Sequence, residues 1–294
     1  MATPLLEPQL LARLERLRLT SRRLRFGAAR GETRTRRRGS SLEFSDYRAY
    51  QPGDDFRYID WNAYGRFHKL FVKLFTAEED LTLHLLIDTS ASMGYGSPTK
   101  LDYGVKLAAA LGYIAISNLD RVGVAAFGDG LGPRLAPERR KNHVLTLFDY
   151  LSALKGGGTT SFNAALTDYA RQATKTGLAV VISDLLDEEG YSQGLSALDS
   201  AGFEVAVLHV LDDSELDPNL RSGSYRLVDA ETRRVSEVHL DGAGRREYRE
   251  ALGAYLSEIE TYCLDKRIEY LRTTTSVPID EIVFDYLRRG PLLS

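Results

Sequence analysis

The chain has 294 residues, 43% hydrophobic and 27% charged, with a net charge of -3 and a single cysteine, Cys263. That size and mix suit one large or two modest domains with a core that needs no staples, and one cysteine excludes an intramolecular disulfide. No apolar run approaches the roughly 18 residues that cross a bilayer, and an N-terminus carrying Glu7 and several arginines lacks a signal peptide's apolar core. A cytoplasmic protein with no membrane span or targeting segment is the expectation.

The near-neutral total hides an asymmetry. Residues 1–40 hold eleven arginines against Glu7, Glu15 and Glu32, a net of +8, which leaves -11 on the rest of the chain. A basic arm can seek nucleic acid or anionic lipid, or dock on its own acidic body. The absence of interleaved aromatics and of a recognisable nucleic-acid motif argues against nucleic acid.

In chain order, Leu6, Leu10, Leu14 and Leu17 fall at helical spacing and predict an amphipathic helix over 4–25. Its narrow leucine stripe, without Trp or Phe anchors, suits packing on the body or on a second copy better than a membrane surface. Residues 27–40 read as a basic linker, so that residues 1–40 form one segment. Residues 41–78 form a hairpin-like module around Pro52–Gly53, a pair suited to a type II turn. The module is dense in Arg48, Asp54, Asp55, Arg57, Asp60 and Arg66 and holds the only tryptophan, Trp61. Two readings stand: an ion-pair lattice with Trp61 as its apolar plug, or a surface that recognises a partner.

Residues 79–288 alternate apolar strands (81–88, 121–128, 178–184, 203–211, 267–273) with helices (100–118, 143–154, about 161–175, 190–201, 245–264, 278–288). A hairpin insertion is expected at about 212–243, turning at Asp229 to Thr232. Such alternation predicts an α/β fold with a mainly parallel sheet covered by helices on both faces, whose sites lie at the carboxyl ends of the strands.

The sequence DTSASM starts at such an end. Asp88 follows LTLHLLI, and Ser90 and Ser92 follow at two-residue steps. Asp184 ends the strand LAVVIS, and Thr160 closes the glycine-rich loop before a helix. Two carboxylates and three hydroxyls suit a hard divalent cation: Mg2+, with Mn2+ or Ca2+ also accommodated. Zinc is a poor match, because His68, His143 and His239 are unclustered and His84 and His209 lie inside strands, where packing or hydrogen bonding is their expected role.

The set Asp88, Ser90, Ser92 (DxSxS), Thr160 and Asp184 resembles the metal-ion-dependent adhesion site (MIDAS) of von Willebrand factor type A domains, a Rossmann-like fold, over roughly residues 80–275. Thr159 is an adjacent alternative to Thr160, and Asp184 is followed by Leu185 where the family commonly has glycine. Upstream, Glu43, Phe44, Arg48, Tyr50, Gly53, Asp54, Arg57, Asp60 and Trp61 are similar to the signature of the bacterial domain-of-unknown-function family numbered 58. The resemblance implies a metal-dependent protein–protein interaction module that binds an acidic residue of a partner. It further implies work with a MoxR-type AAA+ ATPase in complex assembly or maturation.

An enzyme is not expected. There is no DxDxT pair or GxxxxGK[ST] loop, and Ser90 has no His base nearby in sequence. A magnesium-dependent phosphatase or nuclease, and a basic-arm nucleic-acid binder, are the alternatives from other classes.

Overall fold

The computed structural model describes residues 4–20, 42–77, 81–140, 142–218, 220–288 and 292–293; the basic linker at 27–40 lies outside them. The chain divides into two units, Met1–Arg22 with Leu81–Ser294, and Arg23–Asp80.

The N-terminal helix α1 runs Pro8–Leu14, with Pro8 at the first position, where its missing N–H is harmless. Leu6, Leu14, Leu17 and Leu19 are buried, so the leucine stripe packs on the body. The helix stops well short of the expected residue 25. The backbone beyond it is engaged elsewhere: Leu19 bridges Leu293, and the Thr20 N–H donates to the Leu292 carbonyl at 2.9 Å. Arg13 pairs with Asp280 at 3.3 Å and lies 4.2 Å over the Phe284 ring, which fixes the outer face of the helix.

In the smaller unit, β1 (Leu42–Ala49) pairs antiparallel with β2 (Phe71–Ala77). Pro52–Gly53 does form a type II turn, with Gly53 at φ +107° and the Asp54 N–H bonded to the Gln51 carbonyl at 3.0 Å. It does not join the strands, however. A 3-10 turn (Phe56–Tyr58) and helix α2 (Trp61–Phe67) intervene. Asp60 caps α2 by accepting from the Asn62 and Ala63 N–H groups, and left-handed His68 closes it. Trp61, at the first helical position, is 61% exposed and plugs nothing.

The larger unit is the expected α/β fold. Its strands are β3 (Thr82–Asp88), β4 (Arg121–Phe127), β5 (Leu131–Glu138), β6 (Leu178–Ser183), β7 (Glu204–Leu211) and β10 (Glu269–Thr274). They stand in the order β10-β7-β6-β3-β4-β5, parallel except for β5. Strand β5 is an addition to the sequence reading. Its segment LGPRLAPE carries two prolines, which cannot donate to a ladder and are tolerated here because β5 is an edge.

Alternate residues of the central strands serve opposite faces. Leu86, Ala179, Val181, Val205 and Val207 join a core with residues of α5 (Phe162–Gln172), α6 (Ser192–Ser200) and α8 (Gly242–Asp265). Leu85 and Ile182 meet α3 (Lys100–Ser117), with α4 (His143–Ser152) packed behind it. The approach is close enough that a Cβ on Gly104 would fall 2.9 Å from Ile182 Cγ2. Because both faces are covered, β3 and β6 are buried along their whole length and read as continuous apolar runs.

Between β7 and α8 lies the expected insertion: a one-turn helix α7 (Asp213–Leu216) and the antiparallel pair β8 (Gly223–Val228) and β9 (Val235–Leu240). After β10 come a short helix α9 (Ile279–Glu281) and a π-turn over Ile282–Leu287, in place of the regular helix expected at 278–288.

Candidate metal and partner site at the sheet edge

The chain leaves β3 toward α3 on one face and β6 toward α6 on the other, which makes the carboxyl ends of these neighbouring strands a topological switch point of the sheet. Asp88 and Asp184 flank it. Asp88 is fully buried; its Oδ1 accepts from the Ser90 N–H at 2.9 Å and its Oδ2 from the Ser183 hydroxyl at 2.6 Å. Ser90 and Ser92 lie side by side, their hydroxyls 2.9 Å apart.

The loop that carries Thr160 is stitched to the same edge. The Gly157 N–H donates to the Thr89 carbonyl at 2.8 Å, the Ala91 N–H to the Gly158 carbonyl at 3.1 Å and the Ser161 N–H to the Gly128 carbonyl at 2.7 Å. Gly157 and Gly158 have φ values of +159° and +79°, the second in the left-handed region that only glycine enters cheaply. Thr159 is exposed and Thr160 half-buried. The Thr160 hydroxyl and N–H both donate to Glu231, at 2.7 and 2.8 Å.

Asp184 accepts from the Leu186 N–H at 3.2 Å through Oδ1 and from Lys100 Nζ at 2.7 Å through Oδ2. Lys100, the first residue of α3, is fully buried and also reaches Glu215 Oε1 at 2.5 Å. His209 Nε2 lies 2.9 Å from the Asp184 carbonyl oxygen, which places that histidine in a supporting hydrogen bond. Leu185 adopts φ +56°, the left-handed conformation that explains why glycine suits the position. Here a leucine accepts the strain and buries its side chain completely.

The electrostatics follow from burial. Desolvation, then the adjacent Asp184 charge, raises the Asp88 carboxyl well above the usual carboxylate range, against hydrogen bonds from Ser183 and Ser90. Burial alone would lower the Lys100 ammonium, but Asp184 and Glu215 outweigh it and the net shift is upward. The donors are hard oxygens throughout, and two buried carboxylates side by side are relieved by positive charge, so the set fits a divalent cation. Among the described residues no group of three or more His, Cys, Asp or Glu is placed to hold an ion. Hydroxyls and water would therefore have to supply the rest of the coordination shell.

Sequence reasoning missed Ser183, Lys100, Glu215 and Glu231. Glu215 carried a local signal, since Asp212-x-x-Glu215 is a capping box, and the structure forms it. The other three act through partners remote in sequence.

Several of the charges singled out in the smaller unit have partners within it. Arg48 bonds Asp54 at 2.8 Å, Arg57 bonds Asp55, and the Asp60 Oδ2 accepts from Tyr47 at 2.8 Å with Lys73 at 3.2 Å. The hydrogen bond from Tyr47, then that from the Ala63 N–H, holds the Asp60 carboxyl down at about 2. Beside this lattice Phe56, Trp61, Tyr64 and Phe67 are exposed.

Fold and site together define an α/β protein with a mainly parallel sheet and two buried carboxylates at its topological switch point. The chain belongs to the family described as "Protein of unknown function DUF58", which matches residues 46–255. Uncharacterized proteins of Mycobacterium tuberculosis (Rv1480) and Mycobacterium bovis (Mb1516) are each 28% identical over 259 residues, covering 86% of this chain and 81% of theirs. Among solved structures, the chain is similar to the conserved hypothetical protein BatB from Bacteroides thetaiotaomicron (17% identity, TM-score 0.43, 67% of this chain and 91% of that one). An aerotolerance-related membrane protein from Bacteroides fragilis gives 22% identity and a TM-score of 0.42, over 67% of this chain and 92% of that one. A von Willebrand factor type A structure from Catenulispora acidiphila gives 16% identity and a TM-score of 0.36, over 49% and 36%. No helix among the described residues is long and apolar enough to cross a membrane.

Proposed function

We infer that the chain is a non-enzymatic, metal-dependent protein-binding module. Asp88, Ser90, Ser92, Thr160 and Asp184 would hold Mg2+, directly or through water, and an acidic side chain of a partner would complete the shell. One observation supports the reading: two buried carboxylates, Asp88 and Asp184, stand at the ends of neighbouring parallel strands, beside the Ser90–Ser92 pair and a glycine-rich loop bonded to the same strand end. The cation would supply the positive charge that attracts the partner's carboxylate; the chain's own residues orient it and exclude water from one side. The histidines argue for binding over hydrolysis. His84 faces Tyr169 and His209 faces Tyr270 and a carbonyl, and burial lowers each to about 4. Neither is spent on a nucleophile.

The family resemblance further suggests a cytoplasmic role beside a MoxR-type AAA+ ATPase. Pull-down from a bacterial lysate should recover an ATPase in Mg2+ and lose it in chelator or in Asp88→Ala. Recovery indifferent to both would argue against a metal-mediated partnership, and Asp88-dependent phosphatase or nuclease activity would replace it with a hydrolase.

A further inference from the structure

The insertion after β7 touches the sheet-edge site at two points, and both contacts are carboxylates. At its base, Glu215 in α7 shares Lys100 with Asp184. At its tip, Glu231 places both carboxylate oxygens on Thr160. Between these points the hairpin is solvent-exposed on most positions, so its burial does little to explain why it lies there.

The tip is built to present Glu231. Asp229 Oδ1 accepts from the N–H groups of Glu231 and Thr232 and from the Thr232 hydroxyl, and the Asp229 N–H donates to the Arg234 carbonyl at 2.8 Å. This self-bonded turn fixes the loop before it meets the sheet edge, so little further ordering is needed to form the contact. The Thr160 hydroxyl gives its proton to Glu231, and a hydroxyl oxygen that donates keeps lone pairs with which it can still accept. A carboxylate from the same chain thus engages a loop that a partner's carboxylate has to approach.

We propose that Glu231 is a built-in competitor: it latches the β8–β9 hairpin over Thr160, and it has to be released before an acidic residue of a partner is taken up. This rests on the binding reading above and adds its regulation. The occupant it commits to is an acidic side chain, since the position already accommodates one.

An intramolecular competitor lowers apparent affinity by the fraction of molecules left open, so a latch closed nine-tenths of the time costs about ten-fold. The test uses the full chain saturated with Mg2+ and a Gly/Ser-rich peptide carrying one Glu, with its Gln counterpart as control. Glu231→Gln should bind the Glu peptide about ten-fold more tightly than wild type, and amide exchange at 157–161 and 229–234 should quicken. Glu237→Gln, altering an exposed charge on β9, should change neither. Normal Mg2+ binding with equal peptide affinity in wild type and Glu231→Gln, or exchange unaltered at both segments, would overturn the latch alone. Failure of wild type to bind Mg2+ would overturn the reading beneath it as well.

Discussion

Replacing Lys100 with methionine removes a buried ammonium and keeps most of its volume. In the wild type Nζ lies 2.7 Å from Asp184 and 2.5 Å from Glu215, with no solvent exposure at the lysine and almost none at Asp184. At an effective dielectric constant near 20, the Asp184 contact alone is an attraction of about 6 kcal/mol. Desolvation of the ions offsets several kcal/mol of that, so the pair's net contribution is smaller than the attraction. The variant, however, leaves Asp184 buried beside Asp88 with no cation, the situation in which removing one partner costs about 3–5 kcal/mol. At about 2–4 °C per kcal/mol for a domain of this size, Tm in chelator should fall by roughly 6–20 °C. Thermal unfolding followed by circular dichroism reads it directly. Adding Asp184→Asn to Lys100→Met should recover at least half of the loss, because the stranded charge goes too. A Tm within about 2 °C of wild type for Lys100→Met, or a double variant no better than the single, would refute the charge argument.

Two smaller perturbations test local claims. Leu185→Gly relieves a left-handed residue, a gain of about 1–2 kcal/mol, but gives up a fully buried side chain, at about 2–5 kcal/mol for large-to-small changes; net destabilisation in urea is expected, and a more stable variant would show that strain outweighs packing. Asp60 has a folded pKa held near 2, below its ordinary 3.8, so its contribution is intact above pH 4 and lost as pH falls through 2. Fluorescence of Trp61, the only tryptophan and the first residue of the helix that Asp60 caps, should report that acid transition. Asp60→Asn should blunt it; identical titrations would remove Asp60 from the account.

The parallel sheet was legible because burial on both faces leaves a plain apolar run, as in LTLHLLID and LAVVISD. Strand β5 was not, because a half-exposed edge with Pro133 and Pro137 lacks the composition that marks a strand. The leucine spacing of the N-terminus runs on past the helix, which stops at Leu14, although Leu6, Leu14 and Leu17 are all buried. Past Leu14 the chain turns, with Arg16 and Leu17 N–H groups bonded three residues back, and at Leu19 it bridges Leu293. The site divides the same way. Asp88 and Asp184 were visible as acids at strand tips, where the fold puts sites. Lys100 looked like an ordinary first residue of a helix, and Glu231 like any polar residue in a turn; each matters only through a contact 84 or 71 residues away. Trp61 misled because an aromatic among charges suggested a plug, whereas the charges pair with each other and leave it outside.

Isothermal titration of the purified full chain with Mg2+, beside Asp88→Ala, decides whether the oxygens at the strand ends hold a cation. Saturable binding at one site is expected in the wild type and its loss in the variant, with the variant otherwise folded by circular dichroism. No heat in the wild type, or binding unchanged by Asp88→Ala, would contradict it.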